Sequence, residues 1–114
     1  MLAPNGGRLG GTLDVLILKA LSWGPRHGYA VAEWLRSATD GELLLEEGPL
    51  YTALHRLERK GWLDAEWGFS ENNRKAKYYR LTRAGQQQLR AEVSSWERYV
   101  RAVSLALHAA PNPA

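Results

Sequence analysis

The apolar residues of this 114-residue chain change their spacing at Gly61. Up to that glycine they recur every three or four residues, which is the period of a helix that buries one face. From Leu63 to Trp67, and again from Lys75 to Arg80, side chains of contrasting polarity alternate, and this period of two is typical of a β-strand. The polar segment 68–74 separates the two runs. They are therefore predicted to pair as a β-hairpin with a long tip.

Three helices are predicted before the hairpin. They run from about Thr12 to Trp23, from about Gly28 to Thr39, and from Gly48-Pro49 to Gly61. Proline is tolerated in the opening turn of the third helix, because an N–H there would have no partner. The leucines at 43–45 are interpreted as a brief extended piece. Three helices followed by a two-stranded hairpin are the order of a winged helix-turn-helix, so the expected fold class is α+β and mostly α.

A long helix is predicted to follow the hairpin, from Thr82 to His108. Its apolar residues follow one another at intervals of four and three, a heptad stripe held for almost three repeats: Leu89, Val93, Trp96, Val100, Val103 and Leu107. A single helix that trails a compact domain cannot bury such a stripe alone, so we expect the same helix of a second copy to cover it. Packing against the chain's own first helix is the alternative, and a swapped arrangement would satisfy both.

These elements divide the chain into four expected parts. They are a flexible, glycine-rich lead-in at 1–10, a winged helix-turn-helix domain at 11–81, a dimerisation helix at 82–108 and a flexible tail at 109–114. A domain of this size gains stability when it shares apolar surface with a partner subunit. The N-terminus has no apolar run that resembles a signal peptide, and no stretch is long enough to span a membrane. The expected location is therefore the cytoplasm.

Charge is spread unevenly along the chain. The formal net charge is only +3, but residues 70–90 hold six cations and one anion, whereas residues 40–47 hold four acids and no base. A concentrated basic segment indicates an anionic partner, such as nucleic acid or a membrane surface. A merely solvated surface is the alternative, and charge alone does not decide between them.

The sequence gives no support for enzymatic or metal chemistry. The chain has no cysteine, and its three histidines lack partners at the spacing of a zinc motif. No spacing suggests a nucleophile next to a base. We therefore expect neither catalysis nor a cofactor.

The third helix and the hairpin tip carry the residues expected to contact DNA. A recognition helix presents polar or cationic groups on the face opposite its leucines, here Tyr51, Thr52, His55 and Arg56. The tip adds amide donors and cations that suit phosphate oxygens, namely Asn73, Arg74, Lys75 and Lys77. An idle, solvent-exposed helix face is the alternative. The chain order, with the basic loop directly after the candidate helix, favours DNA contact.

Four runs of the sequence resemble the PadR family. They are GTLDVLILKAL at 11–21, GPRHGYAVA at 24–32, EGPLYTALHRLERKGWL at 47–63 and ENNRKAKYYRLT at 71–82. The resemblance extends over residues 11–96, and its last two runs are highly specific. It implies a winged-helix transcriptional regulator, usually a repressor, that dimerises through one short C-terminal helix. Many such proteins release DNA when a small aromatic or otherwise apolar effector binds.

The resemblance also implies roles for single residues. Tyr29 falls in the family's His-Gly-Tyr segment and would touch the DNA backbone. The third helix would be the family's recognition helix, and the hairpin would be its wing. Two positions depart from the family pattern, which commonly has a hydroxyl residue where Pro49 stands and a proline where Thr52 stands. Thr52 thereby adds a donor for a base. The expected partner is a roughly palindromic duplex operator, bound by a homodimer.

Alternatives remain open for the effector and for the function. Trp96 lies on the heptad stripe, where two indoles near a two-fold axis would form flat walls for an aromatic effector. Plain core packing is the other interpretation of this residue. A winged helix that holds protein instead of DNA is the alternative function, and a regulator without any effector, which acts only by autorepression, is a third.

Overall fold

The chain folds into four helices and a small antiparallel sheet. The computed structural model describes residues 5–112, with side chains from residue 12 onward. In chain order the elements are α1 (Asn5–Ala20), β1 (Arg26–His27), α2 (Gly28–Ala38), α3 (Glu47–Arg59), β2 (Leu63–Phe69), β3 (Lys75–Leu81) and α4 (Arg83–Leu107). The predicted mostly helical winged-helix class, with a long C-terminal helix, is confirmed.

The sheet has one strand more than the two-stranded hairpin we predicted. Its order is β1-β3-β2, and the short β1 pairs with β3 through Arg26 opposite Tyr79 and His27 opposite Tyr78. Two residues are too few to show a period of two, so the sequence pattern could not reveal this strand. The expected extended piece at 43–45 is not a strand in the structure, because no neighbouring strand pairs with it.

The first helix differs from its prediction at both ends. It begins at Asn5 and not at Thr12, so residues 5–10 are helical where an irregular lead-in was expected, and residues 1–4 lie outside the described part. Extending a formed helix costs far less than nucleating one, and no proline lies between Asn5 and Ala20. At the other end the helix stops at Ala20, and a turn leads to Gly24, whose φ of +142° suits glycine.

The core lies where α3 meets α1 and the sheet. The inward face of α3 contributes Leu50, Leu54 and Leu57, all of them buried. They pack in one cluster with residues of α1, including Ile17, and with Tyr79 of the central strand. Removing a leucine side chain from water contributes about 1.5–3 kcal/mol. This burial fixes which face of α3 remains outside.

The start of α4 is bound to the hairpin. Thr82 caps the helix by accepting a hydrogen bond from Gly85 N at 3.0 Å, and its hydroxyl donates to the carbonyl of Gly61 at 2.7 Å. The N–H of Thr82 donates to the carbonyl of Trp62 at 3.1 Å. These bonds fix the direction in which the long helix leaves the domain.

The heptad stripe of α4 divides into two parts. Leu89, near the start of α4, packs against the domain's own core. This contact agrees with the alternative in which α4 packs on its own chain. Leu89 is only partly buried there and also lines a groove between α1 and α4, so its predicted dimer contact stays a prediction. Val100, Val103 and Leu107, farther along, are exposed. Within the described part of the chain, this second part has no cover.

No helix in the described part of the chain combines the length and the apolar character that crossing a membrane requires.

The replacement Gly85→Ala should destabilise the domain strongly. Gly85 is buried, and a Cβ there would overlap the backbone carbonyl of Trp62, so α4 and the hairpin would have to move apart. We expect a loss of about 2–3 kcal/mol in the free energy of unfolding, and a fall in Tm on the order of 10 °C, in a thermal melt followed by circular dichroism.

Gly48→Ala is the matched control, because a Cβ at that glycine in α3 would meet no atom within 4 Å. This variant should lose far less stability than the Gly85 variant, because its Cβ meets no other element and only the neighbouring Pro49 ring crowds it. Equal melting temperatures for the Gly85 variant and the wild type would contradict the close packing of α4 on the hairpin.

Candidate nucleic-acid interface

A cleft of about 620 Å³ opens between α3, the start of α2 and the hairpin. Six of the nine residues predicted to contact DNA line it: Tyr29, Tyr51, His55, Arg74, Lys75 and Lys77. The fold thus brings together groups that are up to 48 positions apart in the chain, from Tyr29 to Lys77. Thr52 is exposed on α3 next to this cleft, and Asn73 is exposed at the hairpin tip.

Tyr51 joins α3 to the start of α2. Its ring lies flat against Gly28, so closely that a Cβ on that glycine would stand 2.7 Å from the tyrosine Oη. The side chain is still partly exposed to the cleft. A side chain at position 28 would therefore displace the Tyr51 ring from this place.

His27 is a central residue of the cleft that the sequence analysis treated as isolated. Its Nδ1 accepts a hydrogen bond from Ala30 N at 3.2 Å and so caps α2, and its Nε2 lies 3.6 Å from Oε1 of Glu71 on the hairpin tip. A backbone hydrogen bond at Glu71 and then this imidazole lower the pKa of the Glu71 carboxyl. The only sequence signal was a polar residue directly before a helix, and histidine is not a usual cap.

Tyr29 follows His27 and stands at the rim of the cleft. Its ring stacks on the His27 imidazole with the centroids 6.5 Å apart, and most of the side chain remains exposed. The hydroxyl group is thus held in a position that solvent, or a ligand in the cleft, can reach. Rings are rigid and lose little entropy on contact, which suits a residue that binds at a surface.

The hairpin tip is a tight loop closed by backbone hydrogen bonds. The N–H of Ser70 donates to the carbonyl of Arg74, and the N–H of Asn73 donates to the carbonyl of Ser70, both at 2.8 Å. Asn73 adopts a positive φ of 58°, which asparagine tolerates better than most residues. Asn73 therefore has a structural role in the turn that the sequence analysis did not assign, beside the DNA contact that it predicted.

The two lysines of the cleft stand over aromatic rings. Lys75 Nζ lies 5.2 Å from the centroid of Trp67, and Lys77 Nζ lies 5.4 Å from that of Tyr79. Lys77 also faces Glu58 of α3 at 3.4 Å, which partly neutralises its charge. Burial raises the pKa of Tyr79, so that this phenol stays neutral. Lys75 consequently offers the freer positive charge of the two.

Arg56 is placed differently from our prediction. Its guanidinium forms an ion pair with Asp14 of α1, a carboxylate that is almost buried. Arg56 does not line the cleft, although it lies on the same helix as Tyr51 and His55. A buried carboxylate needs a partner, because leaving it unpaired is costly. We therefore assign Arg56 a role in the joint between α1 and α3, and its contact with DNA stays a prediction.

A second, apolar groove of about 620 Å³ lies between α1 and α4. Leu16 lines it from α1, Leu43 from the connector before α3, and Val93 and Trp96 from α4. The Trp96 indole is partly exposed and contacts the ring of Tyr99, with the centroids 5.9 Å apart. Trp96 is therefore not fully buried within its own chain. Among the described residues, no cluster of acids and histidines could hold a metal ion.

The comparison with known proteins decides the class of this chain. Residues 17–91 match the PadR-like family of transcriptional regulators, and this match extends from α1 through both wing strands into α4. The chain belongs to this family. PadR-family proteins are transcriptional regulators and not enzymes, which confirms the expected absence of catalysis. The resemblance inferred from the four sequence runs is confirmed as well.

Individual relatives share both sequence and fold with this chain. An uncharacterised protein of Lysinibacillus sphaericus, named protein X, is 33% identical over 86 residues, which cover 75% of this chain and 79% of the relative. A transcriptional regulator from Clostridium thermocellum superimposes with a TM-score of 0.76 at 29% identity, over 84% of this chain and 93% of that one. A PadR-like transcriptional regulator from Bacillus cereus superimposes with a TM-score of 0.75 at 26% identity, over 90% and 97%.

Arg56→Ala should weaken the fold more than its loss of charge explains. The replacement leaves the Asp14 carboxylate without its ion-pair partner, so we expect the free energy of unfolding to fall by about 1–2 kcal/mol. Urea unfolding followed by fluorescence measures this change. Arg59→Ala is the matched control, because it removes the same charge from an exposed position one turn along α3. If the two variants were equally stable, the ion pair would contribute nothing to the joint between α1 and α3.

Proposed function

We propose that this PadR-family regulator is a repressor that binds a roughly palindromic operator as a homodimer and is released by a small apolar or aromatic effector. The observation that carries the proposal is the cleft, where polar side chains of α3 meet the cations of the wing. The cytoplasm is the location we propose, since a repressor must meet promoter DNA. A winged helix that binds protein through the same cleft is the competing function.

The geometry of the cleft supports contact with a DNA duplex. Thr52 and His55 are exposed on the outer face of α3, where a recognition helix meets base edges in the major groove. Arg74 and Lys75 lie across the cleft on the wing, where they can neutralise phosphates of the adjacent backbone. Tyr29 adds a hydroxyl donor at the rim. In this arrangement α3 would contact bases and the wing would hold the backbone.

The exposed half of the α4 stripe supports a dimer. Val100 and Val103 are followed by Leu107 on one face of the helix, and each is more than one third exposed in the single chain. Contiguous apolar surface of this kind marks an interface. We propose that the partner's α4 covers it together with Val93 and Trp96. Two recognition helices related by a two-fold axis then require half-sites about one helical turn, ~10 bp, apart or a multiple of that distance.

The apolar groove beside α4 supports an effector site. It is lined by Trp96 and by aliphatic residues of α1, and it lies next to the surface proposed for the dimer. An indole wall with aliphatic neighbours suits a flat, apolar compound. An effector bound there would contact α1 and α4 at once, and so could change the angle between the DNA-binding domain and the dimer helix.

The first experiment is a fluorescence-anisotropy titration of the protein on a duplex taken from upstream of its own gene, with a scrambled duplex of equal composition beside it. Binding that is much tighter to the native duplex, with two chains per duplex by light scattering, supports an operator-reading dimer. Equal and weak binding to both duplexes contradicts operator recognition and favours the protein-binding alternative.

Lys75→Ala should weaken binding to every duplex and reduce its dependence on salt. Each phosphate that a lysine neutralises releases a condensed counterion, so the slope of log affinity against log salt should become smaller by about 0.9. Anisotropy titrations from about 50 to about 200 mM salt measure this slope.

Lys60→Ala is the control for this change. It removes the same charge from the far end of α3, where Lys60 stands 4.8 Å over the Trp62 ring and outside the cleft. It should leave the slope unchanged. A Lys75 variant that altered only the preference between duplexes would contradict the assignment of the wing to phosphate.

Trp96→Ala should abolish the fluorescence response to an apolar ligand. We expect a planar naphthalene derivative to quench the tryptophan emission of the wild type, because the ring would stack on the exposed indole. Trp23→Ala is the matched control, since Trp23 is also exposed but lies outside the groove, against Trp34. Quenching that persists in the Trp96 variant and vanishes in the Trp23 variant would contradict an effector site beside α4.

A further inference from the structure

One face of the wing carries a row of aromatic rings on β2 beside a row of cations on β3. The register of the hairpin pairs Trp67 with Lys77 and Phe69 with Lys75. Side chains of paired residues, and of residues two apart in a strand, stand on the same face of a sheet. The four side chains therefore form one group, the wing face, on the side of the hairpin that continues from buried Tyr79 toward the tip.

The two rings of the wing face are unusually exposed. Trp67 is 60% exposed and Phe69 is 68% exposed, although both belong to a regular strand and not to a loop. Trp67 lines the cleft proposed to hold DNA, and Lys75 Nζ stands 5.2 Å from its ring. Phe69 lies two residues farther toward the tip. The wing face thus presents apolar surface in the direction from which a ligand of the cleft must approach.

The backbone that carries Phe69 is held firmly. The hydroxyl of Tyr78 on the opposite face donates to the carbonyl of Phe69 at 2.9 Å, and the loop closes directly behind it between Ser70 and Arg74. His27 approaches Glu71 and ties the tip to the start of α2. The ring therefore projects from a braced position, and its contact with a ligand costs little conformational entropy.

We propose that Phe69 and Trp67 contact the apolar faces of deoxyribose rings along one DNA strand, while Lys75 and Arg74 hold the flanking phosphates. This inference rests on the proposed binding of a duplex. A DNA backbone presents anionic phosphates beside apolar sugars, and the wing face sets a row of cations on β3 beside a row of rings on β2. A protein surface would require acids opposite the lysines, whereas the backbone of a duplex offers both partners everywhere.

The two kinds of contact differ in their response to salt. Phosphate contacts release counterions and weaken as salt rises, whereas burial of a ring against a sugar releases no ions. Part of the affinity should therefore be independent of salt and reside in the rings. This difference allows the ring contacts to be measured separately from the charges beside them.

The test compares Phe69→Ala, Phe69→Leu and Lys75→Ala with the wild type on a 30-bp duplex from upstream of the gene, over a series of salt concentrations. Phe69→Ala should weaken binding about tenfold at every salt concentration, with an unchanged slope. Phe69→Leu, which keeps apolar surface, should recover most of this loss. Because Phe69 is exposed, its removal should not affect the melting temperature.

Leu44→Ala is the matched control. Leu44 is 69% exposed, close to the value for Phe69, but it lies in the connector before α3 and does not line the cleft. This variant should bind the duplex like the wild type. An equal loss of affinity in the Leu44 and Phe69 variants would overturn the assignment to the wing face.

Three further outcomes overturn the inference in different ways. If Phe69→Ala bound the duplex as tightly as the wild type and Lys75→Ala bound it more weakly, duplex binding would stand, and the wing would contact DNA through its charges alone. A loss confined to a 30-nucleotide single strand would assign the ring to base stacking. Absence of duplex binding by the wild type would instead contradict the proposed function itself, and the inference with it.

Discussion

The burial of the α3 leucines is the constraint on which the rest of this structure depends. Leu50, Leu54 and Leu57 are almost inaccessible to water, and they pack against α1 and the central strand. A helix that commits one face in this way has no freedom left to rotate about its axis. Tyr51, Thr52 and His55 are outward for that reason alone. The position of the recognition surface thus follows from hydrophobic burial and needs no polar contact to set it.

Polar contacts then fix what burial leaves free, the tilt of the elements against one another. The pair of Arg56 and Asp14 joins α3 to α1, and the ring of Tyr51 rests on Gly28 at the start of α2. Thr82 binds the first turn of α4 to the end of α3 through Gly61. Because α1 contacts both α3 and the apolar groove beside α4, a shift of α1 would reach the recognition helix without any loop having to move.

The charges of α3 and the wing divide into structural and free ones. Arg56 and Lys77 each face an acid of their own chain, so much of their charge is already compensated. Lys75 stands over an aromatic ring, which leaves its charge available to an anion. The net charge of +3 therefore understates how basic the wing is. The uncharged neighbours of the wing lysines are aromatic rings, and these add apolar surface where the lysines meet solvent.

The sequence by itself determined the order of the elements, because helical and alternating periods are local properties of the chain. It also determined the inward leucines of α3, the cap at Thr82, the wing cations and, through four specific runs, the family. Only the tertiary structure decided three other features. They are the two-residue strand β1, the contacts of His27 with α2 and with the hairpin tip, and the ion pair between Arg56 and Asp14. Each of these depends on partners far away in the chain, and Asp14 and Arg56 stand 42 positions apart.

The heptad stripe shows the same division. Its period predicted a helix with one apolar face, but only the packing of α4 beside α1 decided that Leu89 packs against the core of its own chain while Val100, Val103 and Leu107 remain exposed.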